Sequence, residues 1–195
     1  MINKQSPKNK VKDQKMSANQ SEQKSVAKKK FKRTSEYGRQ LEEKQKVKRL
    51  YGMRETQFRN LFAKATRMQG APGENLLCLL ERRLDNVVYR LKMAVTCSQA
   101  RQMVGHGHVF VNGTKVTIPS FLVSIGDVIT LHEKSLKKEK FVEVVVDKRM
   151  NIAIKVPEWL ELTKQSRTGK VLRYPTRSDV QFPVEEHMIV ELYSR

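Results

Sequence analysis

The apolar positions of this chain fall into four stretches of helical spacing and then switch to alternation. Tyr37, Leu41, Val47 and Tyr51 lie on one arc of a helix that starts near Ser35, a good N-cap residue, and stops at Gly52. Within it Glu42 and Lys46 stand at i,i+4, the favourable order for an ion pair. A second helix covers about Glu55 to Met68, with Phe58, Leu61, Phe62 and Ala65 as its stripe. Gln69-Gly70-Ala71-Pro72-Gly73 interrupts the chain. From about Glu74 a third helix carries Leu76, Leu77, Leu80, Leu84, Val87 and Leu91 on one side as a continuous element. The fourth runs from Ser98 to His106 around Ala100, Met103 and Val104, and Gly105 and Gly107 stop it.

Val109-Phe110-Val111 then leads into Asn112-Gly113, the strongest short-range hairpin signal, and Thr114-Lys115-Val116 returns. Pro119 and the turn Ser124-Ile125-Gly126-Asp127 introduce a strand from Val128 to Leu131. A basic connection over Lys134–Lys138 precedes two further expected strands, Phe141–Val146 and Asn151–Lys155. Pro157 to Arg195 reads as loop until the apolar patch Met188-Ile189-Val190 with Leu192-Tyr193, and Trp159 is expected to be a packing anchor.

Charge changes the picture more than size does. Lys and Arg number 39 against 20 Asp and Glu in 195 residues, a formal charge of +19. Such an excess predicts a polyanionic partner, because each neutralised phosphate releases condensed counterions. No apolar run reaches the ~18 residues a membrane span needs, so nucleic acid is expected and a membrane is not. Residues 1–33 carry eleven Lys/Arg against Asp13 and Glu22, with few bulky apolar side chains. That composition predicts a basic N-terminal tail that is disordered when free and orders against phosphates. It is lysine-rich, with no arginine before Arg33, which sets it apart from an organellar transit peptide. The two cysteines, Cys78 and Cys97, have no Cys or His at metal-ligand spacing; Cys78, within Leu76–Leu80, is expected to be a buried thiol in a reducing compartment.

The strongest functional signal is the run of cations on helical segments, since the planar guanidinium grips phosphate in two places and stacks on bases. Arg39, Lys46, Lys48, Arg49, Arg54 and Arg59 are candidates for backbone phosphates from the first two helices. Arg82, Arg83, Arg101, Gln102, His106 and His108 are candidates for a second RNA-facing surface around the helix-turn-helix and hairpin. His106-Gly107-His108 lacks further ligands, so no metal or cofactor is expected. Arg83-Leu84-Asp85 matches a pseudouridine-synthase tripeptide, but Asn86-Val87-Val88-Tyr89 follows where that family has a hydroxyl residue, glycine and leucines. Asp85 is therefore expected to be structural, a partner for Arg82 or Arg101. No nucleophile–base pair, phosphate loop or carboxylate pair predicts catalysis.

Arg83 through Arg90, Ala100-Arg101-Gln102 and Val109-Phe110-Val111-Asn112-Gly113 resemble the small RNA-binding module shared by several RNA enzymes and one ribosomal protein. Ser35-Glu36-Tyr37-Gly38, Gln57-Phe58-Arg59-Asn60, Gly73-Glu74-Asn75-Leu76-Leu77, Arg177-Ser178-Asp179 and Glu186–Ser194 resemble the bacterial-type small-subunit ribosomal protein S-four family. The resemblance covers roughly residues 35–132 and 174–195. It implies an α+β fold: a helical domain formed by the N-terminal half plus a C-terminal return, with a helix-turn-helix and small β-sheet module inserted. The expected divisions are a tail at 1–33, a helical rRNA-binding domain at 34–82, the module at 83–147 and a returning segment at 148–195. It also implies a non-enzymatic primary binder of the 5′ domain of small-subunit rRNA that nucleates assembly. The expected neighbours are protein S-five and the path by which mRNA enters, with an influence on translational accuracy. A cytoplasmic ribosome is expected, and an organellar one stays open. The alternative is an RNA-modifying or RNA-handling factor, of the pseudouridine-synthase or stalled-ribosome kind, that uses the same module.

Overall fold

The computed structural model describes residues 35–137, 155–180 and 182–194. The tail at 1–33, the expected strand Phe141–Val146 and all but the last residue of Asn151–Lys155 lie outside them. The first two helical stripes become α1 (Glu36–Leu50) and α2 (Glu55–Thr66). Gly52, at φ +57°, lets the chain turn between them without the penalty a Cβ would add. The inward face of α1 differs from the expected one: Gln40, Lys44, Val47 and Tyr51 are buried, whereas Tyr37 is half exposed. Partners offset much of the cost of that burial, although Gln40 Oε1 has none among the described residues. Gln40 Nε2 donates to Glu191 (2.9 Å) and Lys44 Nζ to Glu55 (2.6 Å). The ion pair on the outer face also shifts by one residue, joining Lys46 to Glu43 at 2.9 Å rather than to Glu42.

The third helix is not continuous. α3 (Pro72–Glu81) ends at Arg82, and α4 (Leu84–Arg90) starts in a new direction after Arg83, whose backbone is extended at φ −64°, ψ 136°. A distant loop takes the hydrogen bonds that would have carried the helix through. Leu84 N–H donates to Phe121 O (2.8 Å), Asp85 N–H to Pro119 O (3.1 Å), and Val123 N–H to Arg82 O (3.0 Å). α5 (Cys97–Gly105) is capped by Thr96, whose side chain accepts from Gln99 N–H, and Gly107 supplies the left-handed residue beyond it at φ +73°.

The hairpin forms as its turn chemistry dictates. Asn112 and Gly113 both have positive φ, 51° and 77°, between β1 (Val109–Val111) and β2 (Thr114–Lys115). β3 (Val128–Leu131) pairs with β1, and a one-turn helix, α6 (Glu133–Leu136), follows where a plain connection was expected. Pro157–Arg195 is more ordered than its sequence suggests. β4 (Leu160–Thr163) and β5 (Thr168–Val171) form a second hairpin that extends the sheet, giving an antiparallel order β2-β1-β3-β5-β4. Trp159 is fully buried beside it. A 3₁₀ turn (Arg177–Asp179) and α7 (Glu186–Tyr193) complete the chain.

Two apolar clusters result, and the fold is α+β. One joins α4 and α5 to the sheet through Leu84, Val87, Leu91, Val104, Ile129 and Trp159. The other joins α1, α2 and α3 to the C-terminal return through Val47, Phe58, Leu76, Leu80, Val184 and Ile189. The Tyr193 ring stacks on Phe62 at 4.5 Å, so the apolar patch near the C-terminus docks α7 onto α2.

Candidate nucleic-acid interface

The candidate cations separate into those held by carboxylates and those left at the surface. On α1, Lys44 and Lys48 at i,i+4 both turn toward Glu55 in the first turn of α2, at 2.6 and 3.0 Å. The hydrogen bond from Lys44 holds the Glu55 carboxyl down to about 2, with Lys48 adding to it against the opposing effect of burial. Lys48 is thus committed inside the fold. Arg39, Arg49, Arg54 and Arg59 are exposed, and their side chains make no hydrogen bond or ion pair among the described residues. Arg39, Lys46 and Arg49 line one cleft of about 690 Å³ between α1 and α7, together with Glu42, Glu43, Glu185 and Met188. Arg54 and Arg59 belong to the exposed start of α2.

Two buried carboxylates organise the second group. Glu81, fully buried, accepts from Tyr51 Oη (2.7 Å), Asn86 Nδ2 (2.7 Å) and Arg90 Nη2 (2.7 Å). Burial, then the Glu81 charge, pushes the Tyr51 hydroxyl well above its ordinary range. Burial opposes the charged form of Arg90, but Glu81 overcomes it and raises that group. Asp85 lies one turn on and is gripped twice. Arg83 reaches it through Nε and Nη2 at 3.1 and 2.8 Å, Arg101 through Nε and Nη2 at 3.0 and 2.7 Å. Arg101 also donates to the carbonyls of Tyr51 (3.0 Å) and Gly52 at the end of α1, where a cation complements the helix dipole. It therefore ties α5 to α1 across the two apolar clusters.

Of the two partners expected for Asp85 it is Arg101 that pairs with it, joined by Arg83, while Arg82 faces elsewhere. Arg82 Nε donates to Val123 O at 3.0 Å, and its guanidinium lies 4.1 Å over the ring of exposed Tyr174. Arg83 is only 4% exposed and does not reach the surface. Arg101 keeps about a third of its side chain exposed, so it carries outward the surplus charge of two guanidiniums on one carboxylate.

At the far end of α5, Gln102 and His106 are exposed one turn apart. His108 is half-buried, its Nδ1 2.7 Å from Ser135 Oγ, and the His106 and His108 rings lie 6.1 Å apart. Sequence reasoning missed two aromatic groups beside them, Phe110 and His132, whose rings stack at 5.0 Å. Strand alternation offered the signal, since Phe110 falls between inward-facing Val109 and Val111. Cys78 and Cys97 are half-buried rather than buried, with thiols raised by burial. No helix among the described residues is long and apolar enough to cross a membrane.

This arrangement can hold an anion at several points. Residues 82–129 match the family described as S4 domain, and residues 2–81 that described as Ribosomal protein S4/S9 N-terminal domain. The second match reaches into the basic segment ahead of α1. The small ribosomal subunit protein uS4 of Caldicellulosiruptor saccharolyticus is 54% identical over 164 residues, 84% of this chain and 77% of the relative. That of Clostridioides difficile shows the same identity and coverage, and that of Trichlorobacter lovleyi is 52% identical over 165 residues, again 84% and 77%. With helices, hairpin and paired carboxylates in one frame and these relatives spanning it, the chain belongs to the uS4 family of small ribosomal subunit proteins.

Proposed function

We propose that this protein is a structural, non-enzymatic constituent of the small ribosomal subunit that binds rRNA. The observation that carries the reading is the set of exposed arginines, Arg39, Arg49, Arg54 and Arg59, on the two N-terminal helices of a uS4-family frame. Arginines without an internal carboxylate partner serve phosphate, and a rigid helical pair holds them in register with a folded RNA. On the module, Arg82, Gln102, His106 and His108 face the RNA, and Arg101 offers its surplus charge. Lys46 contributes through its exposed half, whereas Lys48 and Arg83 support the frame. The divisions follow the sheet: a helical rRNA-binding part from residue 34 to 82 completed by the return after Val171, and a module from residue 83 that includes β4 and β5.

The RNA is the 5′ domain of the small-subunit rRNA, bound early in assembly, in a cytoplasmic ribosome. Protein S-five and the mRNA path are the neighbours, which links the chain to translational accuracy. The RNA-modifying alternative gains no support from the family match. A competition assay tests the reading. The protein is offered the 5′-domain rRNA fragment against an equal mass of unrelated folded RNA at low and moderate salt. Preference for the fragment that survives moderate salt is expected, because shape and base contacts persist when counterion release weakens. Equal binding to both RNAs would refute it.

A further inference from the structure

The outer face of the sheet carries side chains that packing does not require. In β1 Val109 and Val111 point into the core and Phe110 points out. Phe110 stands directly opposite Lys115 of β2 on one side and Thr130 of β3 on the other. The ladder continues one step beyond the strands, His132 N–H donating to His108 O at 2.8 Å, so His108, Phe110, Thr130 and His132 share this face. Phe110 and His132 are diagonal neighbours there, with ring centroids 5.0 Å apart and planes only 6° from parallel. Both rings are half-buried, and Lys115 beside them is exposed. His132 is followed in α6 by exposed Glu133 and Lys134, and then by exposed Lys137.

We propose that the stacked Phe110–His132 pair is a platform for one unpaired base of the bound RNA, with Lys115 holding the phosphate next to it. The inference rests on the rRNA-binding reading above. A base stacks on any flat π surface, and the surface binds best when its own geometry is set beforehand. Here the sheet sets it: both rings sit on hydrogen-bonded backbone and are already parallel, so a base laid on the pair would be the third ring of the stack. Lys115 stands opposite Phe110 in the same hairpin with its side chain running over Gly107, from where the exposed ammonium would meet the phosphate of a stacked nucleotide. The platform adds to the arginine contacts a recognition that depends on an unstacked nucleotide and not on total charge.

The test compares the native protein with Phe110→Leu, Phe110→Tyr, His132→Leu and Lys115→Gln, using the 5′-domain rRNA fragment titrated at several salt concentrations. Phe110→Leu and His132→Leu should each weaken binding about tenfold, the scale of one base–aromatic stack, with the salt dependence unchanged. Phe110→Tyr should bind within about twofold of native, and Lys115→Gln should lower the salt slope by about one. At saturating protein, one base protected from chemical modification in the native complex should become reactive in Phe110→Leu. That readout holds even where a variant is less stable. Affinity and protection unchanged in both Phe110→Leu and His132→Leu would overturn the platform while leaving the rRNA reading intact. Absence of any preference for the fragment by the native protein would instead overturn both.

Discussion

Replacing Arg101 by alanine separates the frame of this protein from its RNA-facing surface. The side chain gives up its double contact with Asp85 (3.0 and 2.7 Å), a bond to Tyr51 O at 3.0 Å and another to Gly52 O. Asp85 does not become an unpaired buried charge, because Arg83 and the Asn86 N–H at 2.9 Å remain on it. The cost of about 3–5 kcal/mol for breaking a buried pair therefore does not apply. What is lost is a charge-assisted set on a guanidinium one-third exposed and partly screened, about 2–3 kcal/mol. In a chain of this length that lowers Tm by roughly 5–10 °C. Urea unfolding reads it twice, through fluorescence of Trp159, the one tryptophan, which is buried in the module core, and through helical circular dichroism.

Because Arg101 joins α5 to the end of α1, the two signals should also separate in the variant, whereas they coincide in a cooperative native protein. Affinity for the 5′-domain fragment, measured well below the transition, should fall by less than about threefold. A variant as stable as native to within about 0.5 kcal/mol, yet binding rRNA tenfold more weakly, would refute the argument that this arginine is chiefly a joint. Asp85→Asn is the sharper lesion, since it leaves two guanidiniums facing a neutral amide, and it should cost about 3–5 kcal/mol.

Glu81→Gln keeps the shape of the buried hub but leaves Arg90 without its counter-charge and sets an amide N–H₂ against three donors; a loss of about 2–4 kcal/mol in urea unfolding is expected, and one below 1 would refute the hub. Glu55 is held near 2 in the fold, so its contribution is complete above the unfolded carboxylate value and is lost as pH falls from about 4.5 to 2. After screening of a side chain one-third exposed it amounts to about 1–2 kcal/mol, and Glu55→Gln should flatten that limb of the stability–pH curve. Gly169→Ala would place a methyl against the side chain of fully buried Leu91, 2.7 Å from Cδ2, and should cost about 1–3 kcal/mol by thermal melt with no change in rRNA affinity at 25 °C.

The periodic parts of the fold were legible and the tertiary decisions were not. Phe58, Leu61, Phe62 and Ala65 announce α2, and Asn112-Gly113 announces its hairpin, because the local chemistry in each case suffices. The bend at Arg82–Arg83 is invisible for the opposite reason. Leu80, Leu84 and Val87 continue the helical spacing without a break, and the residues that interrupt it are the carbonyls of Pro119 and Phe121, far along the chain. β5 is silent in its own way. Its inward position at the middle is Gly169, which leaves no apolar alternation to read, and only the close approach of Leu91 explains the glycine. On α1 the expected stripe used Tyr37 and Leu41, whereas the fold buries Gln40 and Lys44, where Glu55 arrives from another element to pair Lys44 and Glu191 to take the Gln40 N–H₂.

The same distinction governs the candidate site. Composition shows that cations outnumber acids almost two to one, so about half of them can have no acidic partner of their own and are available for phosphate. It does not show which few are spent on the frame. That is decided by the acids that are buried, and the sequence gives only a partial sign of these: Glu81 ends the apolar run Leu76–Leu80, and Asp85 follows Leu84 four residues on. A carboxylate in such a place cannot stay ionised alone, so it must recruit the nearest guanidiniums. Arg83, Arg90 and Arg101 answer that demand. Arg39, Arg49, Arg54 and Arg59 meet no buried acid and stay on the surface. In a strongly basic protein, then, the scarce charge is the informative one: locating the buried acids first separates the arginines that build the fold from those left on the surface, free for the contacts proposed with RNA.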